Sequence, residues 1–390
     1  MSIALASHND DIRRLLERGY ALRVDGEHLV VLDVPYLSAD RALKWGGFAM
    51  KLVYVDQEHV RPNNHEIFFA GGHPCGLDGS PIRNLGGGER TLALNKKDQV
   101  IQRSFSNKPA QTFTNFYDIV EHYITVIAGP AMELHGATPL TRRVDTDVIG
   151  ESVFKVHDTL TSRAEIGDLA ALVKDDVIAI IGLGGTGAYV LDLMVKTPVK
   201  EIRGFDGDHY LVHNAFRSPG RLNLEELNLP KAAVHQSRFE TFRYGLSLHA
   251  KYVHSESARD LQGVTFAFVC VDKGSARAQI FDLLISMGIP FIDVGMGLDR
   301  KLGPLSGTIR TTYYSTQDAV RMRDMMLAEM ADDPDDIYES NVQIAELNSL
   351  NACFAVIRYK QIRGFYLDGN RGYNSLINLE TLRVFTDSAA

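Results

Sequence analysis

The chain has 390 residues, 45% of them hydrophobic and 23% charged, with a formal net charge of -8. That length favours two domains of ordinary size over one large core. The acidic balance offers no electrostatic footprint for a nucleic-acid backbone, and no apolar run is long enough to span a bilayer. The opening residues, "MSIALASHND", lack the basic stretch of a secretion signal, so a cytoplasmic protein is expected.

The first stretch reads as an α+β domain covering residues 1–134. A short helix is predicted over Asp10 to Arg18. Strands follow at Ala21 to Val24 and His28 to Val34, joined by the turn signal "DGE". Further strand-like runs at Met50 to Val55 and His65 to Ala70 lead into glycine-rich loops and a helix from Asn115 to Ala131. The aromatics of "NFYDIVEHYITVIAGPA" recur at helical spacing and read as core. Residues 135–170 read as a connector.

Residues 171–390 change character. Strand-like runs at Val177 to Ile181, Lys200 to Phe205, Ser247 to His254, Thr265 to Val271 and Pro290 to Val294 alternate with helical patterns such as Lys231 to Phe242 and Ser275 to Met287. This is the pattern of an α/β, doubly wound, mostly parallel sheet buried on both faces. After Gly295, "LGPLSGTIRTTYY" reads as antiparallel strand and Gln317 to Met330 as a helix. The acidic "ADDPDD" reads as a mobile loop. A long amphipathic helix from Asn341 to Arg363 and a last strand around Ile377 to Phe385 complete the chain.

The chemistry concentrates where the first apolar run enters "GLGGTG". Gly182, Gly184, Gly185 and Gly187 there build a tight turn and a helix N-terminus, at which backbone N–H groups and the helix dipole favour phosphate. Asp206 ends the next strand, where a carboxylate can take ribose hydroxyls. To this point an NAD-dependent oxidoreductase fits as well. The continuation, "GFDGDHYLVHNAFRSPG", adds Asp208, Asn214 and Arg217, then Lys231 in "NLPKAAV" and Asp272 in "FVCVDKGSAR". Hydride transfer has no use for that set, whereas a triphosphate with magnesium does, since Arg and Lys neutralise phosphoryl charge and an Asp holds the metal. Asp272 also stands where a helix N-cap is favoured.

Glycines and polar residues at these spacings resemble the ThiF/MoeB and ubiquitin-activating (E1-like) adenylyltransferase family, most clearly over Val177 to Asp299. The resemblance implies ATP as nucleotide, with Asp206 on the ribose, Asn214 and Arg217 on phosphates, Lys231 at the α-phosphate and Asp272 on Mg2+. Asp208 is implied to orient Arg217 or the nucleotide. The implied reaction adenylates the C-terminal carboxylate of a small ubiquitin-like or sulfur-carrier protein and releases pyrophosphate. A homodimer is implied too, with an arginine finger for which Arg163 is the candidate, though it also reads as an exposed residue at a helix start. An activating domain with an extra N-terminal domain further implies a bacterial ubiquitin-like conjugation system with a role in antiphage defence. A degenerate family member acting only as a binding module is the non-enzymatic alternative.

The family pattern breaks at the cysteines. Cys75, Cys270 and Cys353 are the chain's three cysteines, and none forms a C-x-x-C pair. Neither a disulfide framework nor a structural zinc is therefore expected, and the histidines form no ligand set. Cys270 and Cys353 lie in apolar patterns and read as buried. Cys75 stands in "GGHPCGLDGSP", two residues from His73, a neighbour that favours thiolate. "HPC" resembles the H-P-N tripeptide of ubiquitin-conjugating enzymes, which makes a conjugating enzyme a candidate partner activity for the N-terminal domain. At the usual cysteine position of those enzymes this chain has Pro81 and Ile82, and Cys75 also reads as an inert loop residue.

Overall fold

The computed structural model describes residues 8–56, 59–108, 113–144, 152–156, 158, 160–161, 164, 166–300, 303–332, 342–369 and 372–388. The chain divides into two compact units, residues 1–167 and 168–390.

In the first unit, α1 (Asp10–Arg18) ends at Gly19, whose left-handed backbone returns its N–H to the Leu15 and Leu16 carbonyls. Strands β1 (Leu22–Asp25), β2 (His28–Leu37), β3 (Leu43–Tyr54), β4 (Val60–Pro62), β5 (Ile67–Ala70), β6 (Gly88–Leu92) and β7 (Ile101–Phe105) form one antiparallel sheet. Its order is β1-β2-β3-β5-β7-β6, with β4 on β3. Helix α2 (Phe116–His135) starts where the Asn115 side chain accepts the Asp118 amide at 2.9 Å. It lays Ile119, Val120, Tyr123 and Ile127 on Val31, Phe48 and Phe69, together with Ile12 and Leu15 of α1. Each such aliphatic side chain contributes roughly 1.5–3 kcal/mol on burial. The short strands β6 and β7 lack apolar alternation; β6 is mostly exposed, so pairing rather than pattern makes it a strand.

The second unit is doubly wound. Strands β8 (Val177–Ile181), β9 (Glu201–Phe205), β10 (Leu246–His249), β11 (Phe266–Val269) and β12 (Phe291–Asp299) are parallel; β13 (Ser306–Tyr314), β14 (Gly372–Asn378) and β15 (Arg383–Ser388) continue antiparallel. The spatial order is β10-β9-β8-β11-β12-β13-β14-β15. On β8, Ile178 and Ile180 face one core with α3 (Gly185–Val195) and α8 (Ala345–Ile362). Val177, Ala179 and Ile181 face the other, with α6 (Gly274–Ser286) and α7 (Ala319–Asp324). A strand apolar on both faces reads as a continuous run, which is why β8 is legible residue by residue.

Three expectations are corrected here. The last strand is a hairpin, β14 with β15. The helix expected to reach Met330 stops at Asp324, because Met326 takes a φ of 51°. The strand expected to end at Val294 runs on to Asp299, since β13 pairs with it along its whole length. Most of "ADDPDD" lies outside the described residues.

Candidate functional site

The C-terminal ends of the parallel strands surround a cavity of about 1150 Å³, the place where open α/β sheets bind ligands. Gly182 closes β8 with a φ of 93°, and a Cβ there would stand 2.5 Å from the Cys270 carbonyl oxygen. Gly187 packs still closer, since a methyl would meet the Gly182 carbonyl at 1.9 Å. At Gly185 a Cβ would meet the Asn348 amide at 2.2 Å, whereas at Gly184 nothing lies within 4 Å and the residue lines the cavity. The first three glycines thus serve packing; the fourth leaves room for a ligand.

Asp206, at the end of β9, is almost wholly buried. Its Oδ2 accepts the Leu183 amide at 2.7 Å and its Oδ1 the Asp208 amide at 2.9 Å, so the carboxylate ties the glycine loop to the next strand. Lys231, the first residue of α5 (Lys231–Phe239), is 6% exposed. Its ammonium lies 3.5 Å from Asp206 Oδ1 and donates to Asp208 Oδ2 at 2.7 Å. Asp208 therefore holds Lys231 in place, and not Arg217, one of the two partners expected for it. Tyr252 donates its hydroxyl to the other Asp208 oxygen at 2.5 Å. Burial raises the Asp208 carboxyl, but the Lys231 and Tyr252 hydrogen bonds outweigh it, and the net position is below the usual carboxylate range.

Asn214 sits in the single turn α4 (Val212–Ala215), 2% exposed, with Oδ1 accepting the Leu211 amide at 2.8 Å. Its Nδ2 and the Nε of Arg217 are buried donors with no acceptor among the described residues, and both residues line the cavity. Buried donors rarely stay unsatisfied, so these two mark a place for an acceptor-rich ligand. Behind them, Asn348 of α8 accepts the Thr186 hydroxyl at 2.9 Å and donates to the Arg217 carbonyl at 3.2 Å.

Asp272 follows β11 and lies exposed at the cavity, with Oδ1 accepting from Gln343 at 3.0 Å. The alternative role as a helix cap is taken by another residue: Asp332 accepts the Ser275 amide at 3.0 Å at the start of α6. One carboxylate beside an open cavity suits Mg2+, which keeps several waters and shares its shell with substrate phosphates. Among the described residues no group of three or more His, Cys, Asp or Glu side chains forms a metal cage.

Sequence reasoning missed Arg277 and Arg310. Both line the cavity and converge on Asp293, which is 0% exposed. Arg277 donates to Asp293 Oδ1 at 3.1 Å and Arg310 to Oδ2 at 2.5 Å. The Asp in the apolar run "PFIDVGM" was the available signal, since a carboxylate on a buried strand requires cationic partners.

Arg163 lies outside the described residues. Cys75 belongs to the first unit. It bridges Leu37 and Pro81, is 3% exposed, and its thiol donates to the His73 carbonyl at 3.5 Å. The His73 ring turns instead toward the Pro74 carbonyl, 3.0 Å from Nδ1. Burial, with Asp78 and Asp40 nearby, pushes the thiol up. The expected His73-favoured thiolate is thus corrected: bridge pairing buries the sulfur. Burial also drives the Cys270 thiol far up, and Cys353 is half-buried.

The sequence profile of the ThiF family matches residues 165–318, and that of a domain of unknown function, DUF6791, matches residues 10–159. Among solved structures, selenomethionine PaaA is similar at 16% identity, over 57% of this chain and 75% of its own, with a TM-score of 0.44. Escherichia coli MccB is similar at 12% identity over 56% of this chain and 64% of its own, also at 0.44. MccB with ATP gives 15% identity over 56% and 65%, at a TM-score of 0.42. The chain thus spans about two thirds of the MccB length. No curated protein matches the chain.

Proposed function

We propose that this chain, whose second unit carries a ThiF-family, E1-like adenylating domain, uses ATP to adenylate the C-terminal carboxylate of a small ubiquitin-like or sulfur-carrier protein. The observation that carries the reading is the pair of buried, acceptor-less donors on Asn214 and Arg217, set in the same cavity as Lys231 and Asp272. Such a set fits polyanionic phosphate and fits hydride transfer poorly.

In this reading Gly184 lets the phosphates approach backbone N–H groups at the start of α3, while Gly182, Gly185 and Gly187 pack the turn that presents them. Asp206 meets the ribose while holding the loop. Asn214 and Arg217 bind phosphate oxygens, and Asp272 would hold Mg2+, which would supply further charge neutralisation there. Lys231, pre-aimed by Asp208, stabilises the charge that builds at the α-phosphate. The substrate carboxylate oxygen bonds to the α-phosphorus while the bond to the β-phosphate oxygen breaks, and pyrophosphate leaves. The nucleophile is already an anion, so positioning and charge neutralisation suffice without a general base.

A homodimer fits the exposed apolar residues of the segment after Asp208, notably Phe216 at 76% and Leu224 at 73% exposure. The first unit is read as serving a later transfer, in a bacterial ubiquitin-like conjugation system with a conjugating enzyme as partner and antiphage defence as the setting. Burial of Cys75 argues that any thioester forms elsewhere.

The test is exchange of labelled pyrophosphate into ATP with small proteins encoded beside this one, followed by trapping of a hydroxylamine-sensitive adenylate. Asp272→Ala is expected to abolish exchange while leaving thermal unfolding unchanged, because Asp272 is exposed. Tight NAD binding with no exchange would overturn the reading in favour of an oxidoreductase. ATP binding without exchange would favour a binding module.

A further inference from the structure

Across the sheet the cavity-lining groups follow the strand order: Asp206 after β9, the glycine loop after β8, Asp272 after β11, then Gly295 and Met296 on β12 and Thr308 and Arg310 on β13. A nucleotide on the glycine loop, with its ribose at Asp206 and its metal at Asp272, occupies β9, β8 and β11. The β12–β13 end is left for whatever attacks it.

The wall there carries surplus positive charge. Arg277 and Arg310 share the single carboxylate of Asp293, with side-chain exposures of 6%, 13% and 0%. The two arginines are not equivalent. Arg277 spends Nε on Asp293, Nη1 on the Glu329 carbonyl and Nη2 on the Val271 carbonyl, so it is fastened on every nitrogen. Arg310 donates from Nη2 to Asp293 and from Nη1 to the Thr312 hydroxyl at 2.5 Å. Its Nε–H and the second hydrogen of each Nη have no acceptor among the described residues. Gly295 makes the pose possible: a Cβ there would stand 2.9 Å from an Arg310 Nη, so the guanidinium folds over bare backbone. A planar fork with spare donors, anchored from behind at the edge of a cavity, matches a carboxylate.

We propose that Arg310 grips the C-terminal carboxylate of the substrate at the β12–β13 end of the cavity and presents it to the α-phosphorus. The inference rests on the adenylation reading and adds to it the group that receives the nucleophile. Arg277 and Asp293 position Arg310; the residue that touches substrate is Arg310. Beside Arg310, Gly297 leaves open space where a Cβ would meet nothing within 4 Å, which suits a slender peptide end over a bulky one.

The experiment measures binding of peptide pools, randomised over their last residues and ending either in a free carboxylate or in an amide, to protein loaded with α,β-methylene-ATP. Wild type is expected to prefer the free-acid pool by about tenfold to a hundredfold, the range of one charge-assisted fork. Arg310→Met is expected to bind both pools equally and the ATP analogue as wild type does. It leaves Asp293 paired with Arg277, so folding should survive; should it unfold, Arg310→Gln is read the same way. Wild type without a preference, a variant that keeps the preference, or a variant that also loses the analogue would each overturn the proposal. Failure of wild type to bind the analogue would instead remove the adenylation reading beneath it.

Discussion

The two sheets place their buried polar groups differently. In the antiparallel unit Arg23, 0% exposed, donates through both Nη atoms to Asp98 at 2.8 Å, Asp25 takes the Asn95 and Lys96 amides, and the buried Nε of Arg103 has no acceptor among the described residues. In the parallel unit they gather at one end of the strands, and Asn214 and Arg217 leave donors unmet. Connectivity explains the contrast. Hairpins return each strand directly to its neighbour and cover both ends, whereas parallel strands need crossover helices and leave their C-terminal ends open. What marks the second unit is that the unmet donors of Asn214 and Arg217 belong to residues lining one large cavity.

The largest effect should come from breaking the ion cluster in the open unit. Lys231→Ala leaves Asp206 buried beside Asp208 without a cation, and urea unfolding of the second unit should show a loss of about 3 kcal/mol, with pyrophosphate exchange abolished. Unchanged stability would mean that the cluster is solvated and the contrast overstated. Next in size, Gly187→Ala forces a methyl against a backbone carbonyl and should cost about 2 kcal/mol. Gly184→Ala should leave unfolding alone and weaken ATP binding, because only a ligand would meet that methyl; equal behaviour of the two variants would merge packing with binding.

A smaller effect separates the units by pH. His235, 1% exposed on α5, is pushed down to about 4 from 6.5, first by burial and then by the Arg238 charge. Between those values the unfolded chain takes up a proton that the folded one refuses. Stability of the second unit should therefore fall as pH drops from about 6.5 toward 4. His235→Gln should flatten that slope in thermal melts; an unaltered slope would assign it to other groups. Smallest of all, Cys75→Ser in the closed unit should cost about 1 kcal/mol and leave exchange and any thiol-sensitive product unchanged. Disappearance of that product would make the closed unit a second site.

The parallel strands and the residues that gather around the glycine loop were legible because burial on both faces writes a continuous apolar run and because glycines and carboxylates sit at strand ends. Arg310 was not legible. Its partner Asp293 pairs in register with Thr312, and the guanidinium reaches it only by crossing Gly295, so the relation exists between strands and not along the chain. Tyr252 escaped for a similar reason, since its bond to Asp208 joins two loops that are distant in sequence. The edges of the first sheet were lost to weak patterning, as at β6, where exposed residues are held by neighbours alone.

Helix α8 has a consequence for how the protein is made. Its Asn348 fills the space over Gly185, joins Thr186 to the Arg217 segment, and is followed by Asn351 under Gly295. These residues leave the ribosome long after the glycine loop they support. A nascent chain that has emerged only through β13 carries the glycine loop and the Arg217 segment but not the Asn348 amide that joins them. On the adenylation reading, nucleotide capture during translation should therefore begin only once α8 has docked, and chains arrested before it should emerge with the loop present and the pocket unmade.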